Sequence, residues 1–250
     1  MANRGTLPQR MASGMLELGC PLLAGGNCPA RAVATGKVKN TVKIEIWSDV
    51  VCPWCFIGKR RLEAALAHFD AADVQIEYRA FELDPSTGRD KSVSEAQMLA
   101  SKYGRSLAEA QQMLEQVTAT AASVGLAYDF ASVVPANTFA AHQVLALAAE
   151  RGVQPALKEA LLAAHFEQGL DVEDPEVLAT LGAQAGLDAA EVRAALADGR
   201  YAGTVRAQQA EARELGITGV PFFVFDRRYG VSGAQPPEVF RQALAKAAGS

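Results

Sequence analysis

Between Val42 and Trp47 apolar and polar positions alternate, with Val42, Ile44 and Ile46 on one side and Lys43, Glu45 and Trp47 on the other. That is the period of a half-buried strand. The period then lengthens. Over Pro53–Phe69, Leu62, Leu66 and Phe69 share one face while Lys59, Arg60 and Glu63 lie elsewhere, as in an amphipathic helix. Alternation returns over Val74–Leu83, where Val74, Ile76 and Tyr78 oppose Gln75, Glu77 and Arg79, and Asp84-Pro85 closes the run. Strand, helix and strand in this order predict a βαβ unit with a right-handed crossover.

From about residue 88 to 200 the pattern is helical throughout. Start signals recur: Ser92-x-x-Glu95 and Ser106-x-x-Glu109 read as capping boxes, Asp174-Pro175 as an N-cap before a first-turn proline, and Asp188-x-x-Glu191 as a further cap. Apolar pairs at helical spacing (Leu157 and Leu161, Leu178 and Leu181, Val192 and Leu196) supply buried stripes, so five or six helices are expected. A further helix, Thr204–Leu215, should stop at Gly216. Val220–Phe225 and Tyr229–Ser232 then read as strands around the turn Asp226-Arg227-Arg228, and Pro237–Ala247 as a last helix. The ends therefore form βαβ and ββα portions around a helical insertion, and the second must fold back to complete the sheet of the first. This divides the chain into an extension, 1–40, one domain built from 41–87 and 203–250, and an all-helical insertion, 88–202.

Met1–Asn40 mixes Gly, Pro, Asn, Arg and Ala without periodicity and is expected to be poorly ordered. Its apolar stretch is interrupted by Glu17, Pro21 and several glycines, which does not make the core of a secretion signal despite Ala32-Val33-Ala34. Cytoplasmic placement is the expectation. A net charge of -4 gives no footprint for nucleic acid or an anionic membrane, and no apolar run has the length of a membrane span.

The chemistry lies at Cys52-Pro53-Trp54-Cys55, directly after the first strand. Pro53 suits the first position of a helix, which puts Cys52 at the N-cap, facing unpaired N–H groups and the positive end of the helix dipole. Thiols at such sites acidify, so Cys52 is expected to be the exposed, acidic sulfur. Cys55 falls on the same helical face and can close a disulfide onto it. Zinc would need four ligands, and the remaining cysteines, Cys20 and Cys28, have no local histidine in a chain with only 3. A purely structural disulfide over so short a loop would remove little unfolded-state entropy. A redox pair without metal is the better reading.

A second stretch, Ile217-Thr218-Gly219-Val220-Pro221, puts a proline at the start of a strand, where it loses no ladder hydrogen bond. A trans bond there is the ordinary case. A cis Val220–Pro221 bond would leave the carbonyl and N–H of Val220 turned toward a neighbour, where an extended peptide or glutathione could pair with them.

Together these stretches resemble the DsbA-like branch of the thioredoxin superfamily. The wider pattern Ile46-Trp47-Ser48-Asp49-Val50-Val51-Cys52-Pro53-Trp54-Cys55, with Phe81-Glu82-Leu83-Asp84-Pro85, Asn137-Thr138 and Ala141-His142, is similar to the FrnE-type DsbA oxidoreductases. The resemblance spans roughly residues 42–247. It implies an α/β, thioredoxin-like fold with a large helical insertion, Cys52 as attacking thiol, Cys55 as resolving thiol and Pro221 as a cis-proline facing them. Some FrnE-type members carry a second cysteine pair near the C-terminus; here no cysteine follows Cys55. The related 2-hydroxychromene-2-carboxylate isomerases and kappa-class glutathione transferases typically keep a serine at the position of Cys52 and activate glutathione, a use in which Cys55 has no part.

The expected activity is thiol–disulfide exchange on cysteine-containing proteins or glutathione, with no cofactor beyond glutathione as co-substrate. The alternatives are a glutathione-dependent isomerase or transferase and a non-catalytic, peptide-binding or chaperone-like module. Pro53, Trp54, Val220, Pro221 and His142 are the candidate substrate-binding residues. Asp49 reads as a turn cap in preference to a proton carrier, and His142 as a hydrogen-bonded helix residue that the resemblance could place at the cleft. Ser232-Gly233-Ala234-Gln235 reads as an ordinary loop, or as a γ-glutamyl site on the isomerase reading.

Overall fold

A computed structural model describes residues 16–17, 41–67, 69, 73–86 and 91–249. The expected disordered extension, with Cys20 and Cys28, lies outside them except for Leu16–Glu17, a two-residue strand (β1) antiparallel to Tyr229–Gly230. Strand β2 (Val42–Ser48), helix α1 (Pro53–Leu66) and strand β3 (Val74–Ala80) form the βαβ unit, with β2 and β3 parallel from Val42↔Val74 to Ser48↔Ala80. At the far end of the chain β4 (Phe222–Phe225), β5 (Tyr229–Ser232) and α9 (Pro237–Ala248) follow. Strand β4 lies antiparallel to β2, Ile44 opposite Phe225 and Trp47 opposite Phe222, so the two ends of the chain are welded at the centre of one sheet. Its order is β1-β5-β4-β2-β3.

The hairpin between β4 and β5 turns with both Asp226 and Arg227 at positive φ, closed by Arg228 N–H to Phe225 O. Positive φ at both central positions matches the right-handed twist of the strands. Asp226 also accepts from Lys43 N–H at 2.7 Å, tying the turn to β2.

On one face of the sheet Val42, Ile44 and Ile46 pack with Phe223 and Phe225 under Leu62 of α1 and Phe240 and Leu244 of α9. The alternation of β2 predicts a polar second face, but that face is buried too. Trp47, Phe222 and Val224 pack there against Ala212 of α8 (Ala202–Glu214) and Ile217, and Trp47 Nε1 donates to Gln208 O at 3.1 Å. Glu45 is only 1% exposed. Burial alone would raise its pKa, but hydrogen bonds and charges from Arg227 and Arg79 hold it below the ordinary carboxylate value. Two cations from distant parts of the chain thus let a charged residue sit where α8 covers the sheet.

The insertion runs through α2 (Glu95–Tyr103), α3 (Leu107–Ala122), α4 (Phe139–Glu150), α5 (Gln154–Phe166), α6 (Pro175–Gln184) and α7 (Ala189–Asp198). Leu147, Leu157, Leu161, Leu178 and Val192 form its own core. Ser106, Asp174 and Asp188 cap α3, α6 and α7. Helix α2 starts later than expected, because Ser94 and Gln97 form the capping box and leave Glu95 as its first residue. Helices α5 and α8 together close the edge of β3. Gln154 accepts from Tyr78 N–H at 2.8 Å and donates to Tyr78 O at 2.9 Å, and Gln208 accepts from Ala80 N–H at 2.8 Å. Two side-chain amides stand in for a missing strand on an edge that would otherwise be open.

Candidate active site

Cys52 is the N-cap of α1 and Pro53 its first residue, so helix geometry and the fixed φ of proline set where the pair begins. Cys55 N–H donates to Cys52 O at 3.0 Å, the first turn of the helix, and both cysteines are free thiols. Cys52 Sγ lies 3.5 Å from Val220 O, which accepts from it. The Val220–Pro221 bond is cis. Two stretches separated by 168 residues therefore meet at one sulfur. Close packing of α1 on the proline needs Gly58: a Cβ there would stand 3.0 Å from Pro221 Cγ, 3.2 Å from Phe223 Cζ and 3.4 Å from Ala234 Cβ. Pro221 O in turn accepts from Gly233 N–H at 2.8 Å, and Ala234 O accepts from Arg61, which gives the loop 232–235 a structural duty.

The expectation of an exposed outer sulfur is corrected here, since Cys52 and Cys55 are each 3% exposed. Trp54, between them, is 41% exposed and is the part of the motif presented to solvent. The expected acidity is reversed as well. Hydrogen bonding to Cys55, with burial and the Cys55 charge, pushes the Cys52 thiol well above its ordinary value. Burial would also raise Cys55, but the Cys52 S–H, the charge of Lys158, the Ser48 hydroxyl and the Asp49 N–H together lower it. The two thiols are thus pushed in opposite directions, the outer one up and the inner one down. The Cys55 hydrogen bond and charge, together with burial, outweigh the helix dipole at Cys52.

That underside is polar and fully buried. Asp49 Oδ1 accepts from Val50 N–H at 2.7 Å and Oδ2 from Leu83 N–H at 2.8 Å. His142 Nε2 lies 3.3 Å from Asp49 Oδ1 and 3.1 Å from Phe81 O. Burial would raise the Asp49 pKa, yet the His142 hydrogen bond and charge, the Leu83 N–H and Lys158 lower it. Asp49 is thus a loop tie, as its sequence position predicts. His142 is buried on this tie behind the loop, so it does not line an open cleft; Asn137, one residue before the helix N-cap Thr138, takes the Phe139 N–H that an N-cap would take.

Tyr128, Ser48 and Lys158 escaped the sequence reading. Tyr128 donates to Pro53 O at 2.7 Å and stacks with Phe56 and Phe166, which fixes the first turn of α1 against the insertion. No spacing signals it, because its partner is 75 residues away. Lys158 did leave a signal: it shares a helical face with Leu161, Leu162 and His165, a cation within an apolar stripe.

Among the described residues, no group of three or more His, Cys, Asp or Glu side chains is placed to hold a metal, and no helix is long and apolar enough to cross a membrane. A probable DsbA oxidoreductase from Streptomyces coelicolor is 50% identical, with a TM-score of 0.78, covering 84% of this chain and 91% of its own. The Bacillus subtilis (strain 168) protein YwbO is 29% identical over 206 residues, 82% of this chain and 96% of its own. A 2-hydroxychromene-2-carboxylate isomerase shares the fold at 16% identity and a TM-score of 0.61, over 82% of this chain and 95% of its own. The model of the DSBA-like thioredoxin domain matches residues 43–245, nearly everything that builds the sheet, the insertion and the two ends of the site, and the chain belongs to that family.

Proposed function

We propose that this protein is a thiol–disulfide oxidoreductase working through Cys52 and Cys55 on disulfides of proteins or of glutathione. The observation that carries the reading is the pair itself: two free thiols one helical turn apart, with the outer one against the Val220 carbonyl. In the reducing direction the Cys52 proton passes to the Cys55 sulfur as Cys52 Sγ attacks a substrate disulfide. One substrate sulfur leaves as thiolate, and a Cys52–substrate disulfide remains. Cys55 then loses its proton and attacks Cys52 Sγ, releasing the second substrate thiolate and leaving the Cys52–Cys55 disulfide. A thiol reductant such as glutathione returns the pair to its starting state.

The arrangement also accounts for recognition. Pro53 and Trp54 present the motif, and Val220 offers main-chain groups beside the reacting sulfur to an extended substrate strand. Substrates are therefore cysteine-containing proteins or glutathione, without metal or nucleotide. In a cytoplasm poised by glutathione, the pair would stand largely reduced and serve reduction or disulfide isomerisation.

Insulin-disulfide reduction tests the reading. Wild type should turn over, Cys52→Ser should fall to the uncatalysed background, and Cys55→Ser should stall as a mixed disulfide. A wild type without insulin reduction whose glutathione-dependent isomerisation of an aromatic substrate survives Cys55→Ser would overturn it in favour of an isomerase. Protection of a client from aggregation that survives the double serine variant, again without reduction by wild type, would point to a non-catalytic module.

A further inference from the structure

The first turn of α1 lacks the usual fastenings of a helix start. Cys52 at the N-cap makes no side-chain hydrogen bond to the turn, and no acidic residue stands in it. Left to itself, the turn that carries both sulfurs would fray. Its fastening comes from the insertion. Tyr128, in the loop between α3 and α4, is 7% exposed, and its hydroxyl donates to Pro53 O at 2.7 Å. The arm that carries it is held on both sides of the tyrosine. Ala127 N–H donates to Glu167 Oε1 at 2.9 Å and Asp129 N–H to Phe166 O at 2.8 Å, both at the C-terminal end of α5. The Tyr128 ring stacks with Phe56 of α1 and with Phe166. A phenylalanine would fill that stack without needing a partner for a buried hydroxyl, so what the tyrosine adds is the bond to the motif.

We infer that Tyr128 is a positioning residue for the Cys52–Cys55 pair: by pinning the Pro53 carbonyl it holds the first turn of α1 closed, so that each sulfur is placed for the other before the disulfide forms. This deepens the thiol–disulfide reading and rests on it. The effect is entropic. Closing the disulfide requires an ordered turn, and fixing the backbone of a single residue is worth roughly tenfold in an equilibrium constant. Without the hydroxyl, the dithiol form gains freedom that the disulfide form, tied by its own S–S bond, does not gain, and closure becomes less favourable. Against glutathione disulfide, Cys52 Sγ attacks one glutathione sulfur, that S–S bond breaks, and one glutathione leaves as thiolate. Cys55 then loses its proton to solvent and attacks Cys52 Sγ; the mixed disulfide breaks and the second glutathione leaves as thiolate. The pair is oxidised by two electrons, and glutathione disulfide is reduced to two thiols. Tyr128 acts on the second step, through the placement of Cys55 against Cys52. It leaves the first step alone, because its bond is to a carbonyl and not to either sulfur.

The test equilibrates the full chain, carrying Cys20→Ser and Cys28→Ser so that only Cys52 and Cys55 report, with mixtures of reduced and oxidised glutathione, and reads the disulfide fraction by thiol alkylation. Tyr128→Phe should lower the constant for disulfide closure about tenfold, a reduction potential less negative by about 30 mV. The rate at which Cys52 first attacks 5,5′-dithiobis(2-nitrobenzoate) should stay at the wild-type value. Glu167→Ala loosens the arm but keeps the hydroxyl, and should move the constant the same way by about threefold, less than a whole hydrogen bond; it decides the matter if the phenylalanine variant does not fold. Leu178→Ala opens a hole in the core of the insertion, away from the arm, and should lower stability while leaving the constant unchanged. An unchanged constant in the folded Tyr128→Phe protein, or in Glu167→Ala where the former does not fold, overturns the inference. So does an equal shift in Leu178→Ala, which would mark a merely structural effect of loosening the insertion. A first attack slowed as much as closure would place the hydroxyl's influence on Cys52 itself and overturns it too. If glutathione disulfide never oxidises the wild-type pair, the thiol–disulfide reading itself falls, a different result from a Tyr128 variant whose potential matches wild type.

Discussion

The two sides of the Cys52–Cys55 segment are built from different materials. Above it are backbone and apolar groups: the Val220 carbonyl 3.5 Å from Cys52 Sγ, the ring of Pro221 seated on Gly58, and the exposed Trp54. Below it are Ser48, Asp49, His142 and Lys158, polar or charged and buried. The upper side suits a passing peptide, since main-chain groups and an aromatic face accept many sequences. The lower side suits control of protons, because charges in low dielectric act strongly on whatever lies beside them. The difference teaches that the motif supplies the two thiols, while the polar groups packed beneath them come from the end of β2, the loop after it and the helices of the insertion.

If the underside is a fully committed network, its members should be costly to remove. Asp49→Ala would orphan the N–H groups of Val50 and Leu83 and leave His142 without its carboxylate. A loss of about 3 kcal/mol or more in urea-induced unfolding is expected. A loss below about 1 kcal/mol, the range of an ordinary surface change, would show that the network is slack.

His165 gives a comparable effect that is visible only in acid. It is buried beside Phe166 with its Nδ1 unpartnered, and burial lowers its pKa from 6.5 to about 4, against small opposing pulls from Asp49 and Asp171. The folded value lies below the unfolded one, so the unfolded chain takes up this proton first as pH falls. The contribution is complete above pH 6.5 and is lost between 6.5 and about 4. It amounts to about 3 kcal/mol. Replacing His165 with Phe should flatten the stability profile over that interval. Asp49, with its lowered pKa, acts in a lower window: its contribution is present above the ordinary carboxylate pKa and is lost as pH falls through the folded value. An unchanged slope between pH 6.5 and 4 in His165→Phe would place that histidine in water.

The same comparison explains what could be read in the chain. The upper side is local. Cys52 to Cys55, the strand before them and Val220-Pro221 are contiguous runs whose residue types dictate a helix start and a strand start. The βαβ and ββα ends, and the caps at Ser106, Asp174 and Asp188, are local in the same sense. What failed was non-local. The second face of β2 is buried by α8, Glu45 is neutralised by Arg79 and Arg227, and the Cys52 thiol is pushed up by Cys55 and by burial beneath distant parts of the chain. A helix dipole can be inferred from a proline at the first helical position; a lysine arriving from 103 positions later in the chain cannot.

Gly58 probes the seam between the two sides. Alanine gains about 1 kcal/mol of helix propensity over glycine, but its Cβ would press on Pro221 and Phe223 at 3.0 and 3.2 Å. Overpacking of this kind costs about 1–3 kcal/mol, so Gly58→Ala should be destabilised by about 1 kcal/mol net. Insulin reduction should suffer more than stability does, since the displaced segment carries the Val220 carbonyl. Full activity in a destabilised variant would separate the seat of Pro221 from the chemistry.

The smallest effect is expected at the most conspicuous residue. Trp54 is 41% exposed, so Trp54→Ala removes little buried area and should change stability by no more than about 0.5 kcal/mol. Its loss should be felt by substrates large enough to lie across the upper side. Aromatic contacts of this kind are worth about 0.5–1.5 kcal/mol, which corresponds to a rise of roughly two- to tenfold in KM for insulin. The reaction with a small aromatic-free disulfide such as oxidised glutathione should keep its rate, because neither sulfur nor the groups beneath them touch the change. Equal losses with insulin and with glutathione disulfide would mean that Trp54 shapes the sulfur pair itself, and the division between a recognising upper side and a proton-handling lower side would have to be redrawn.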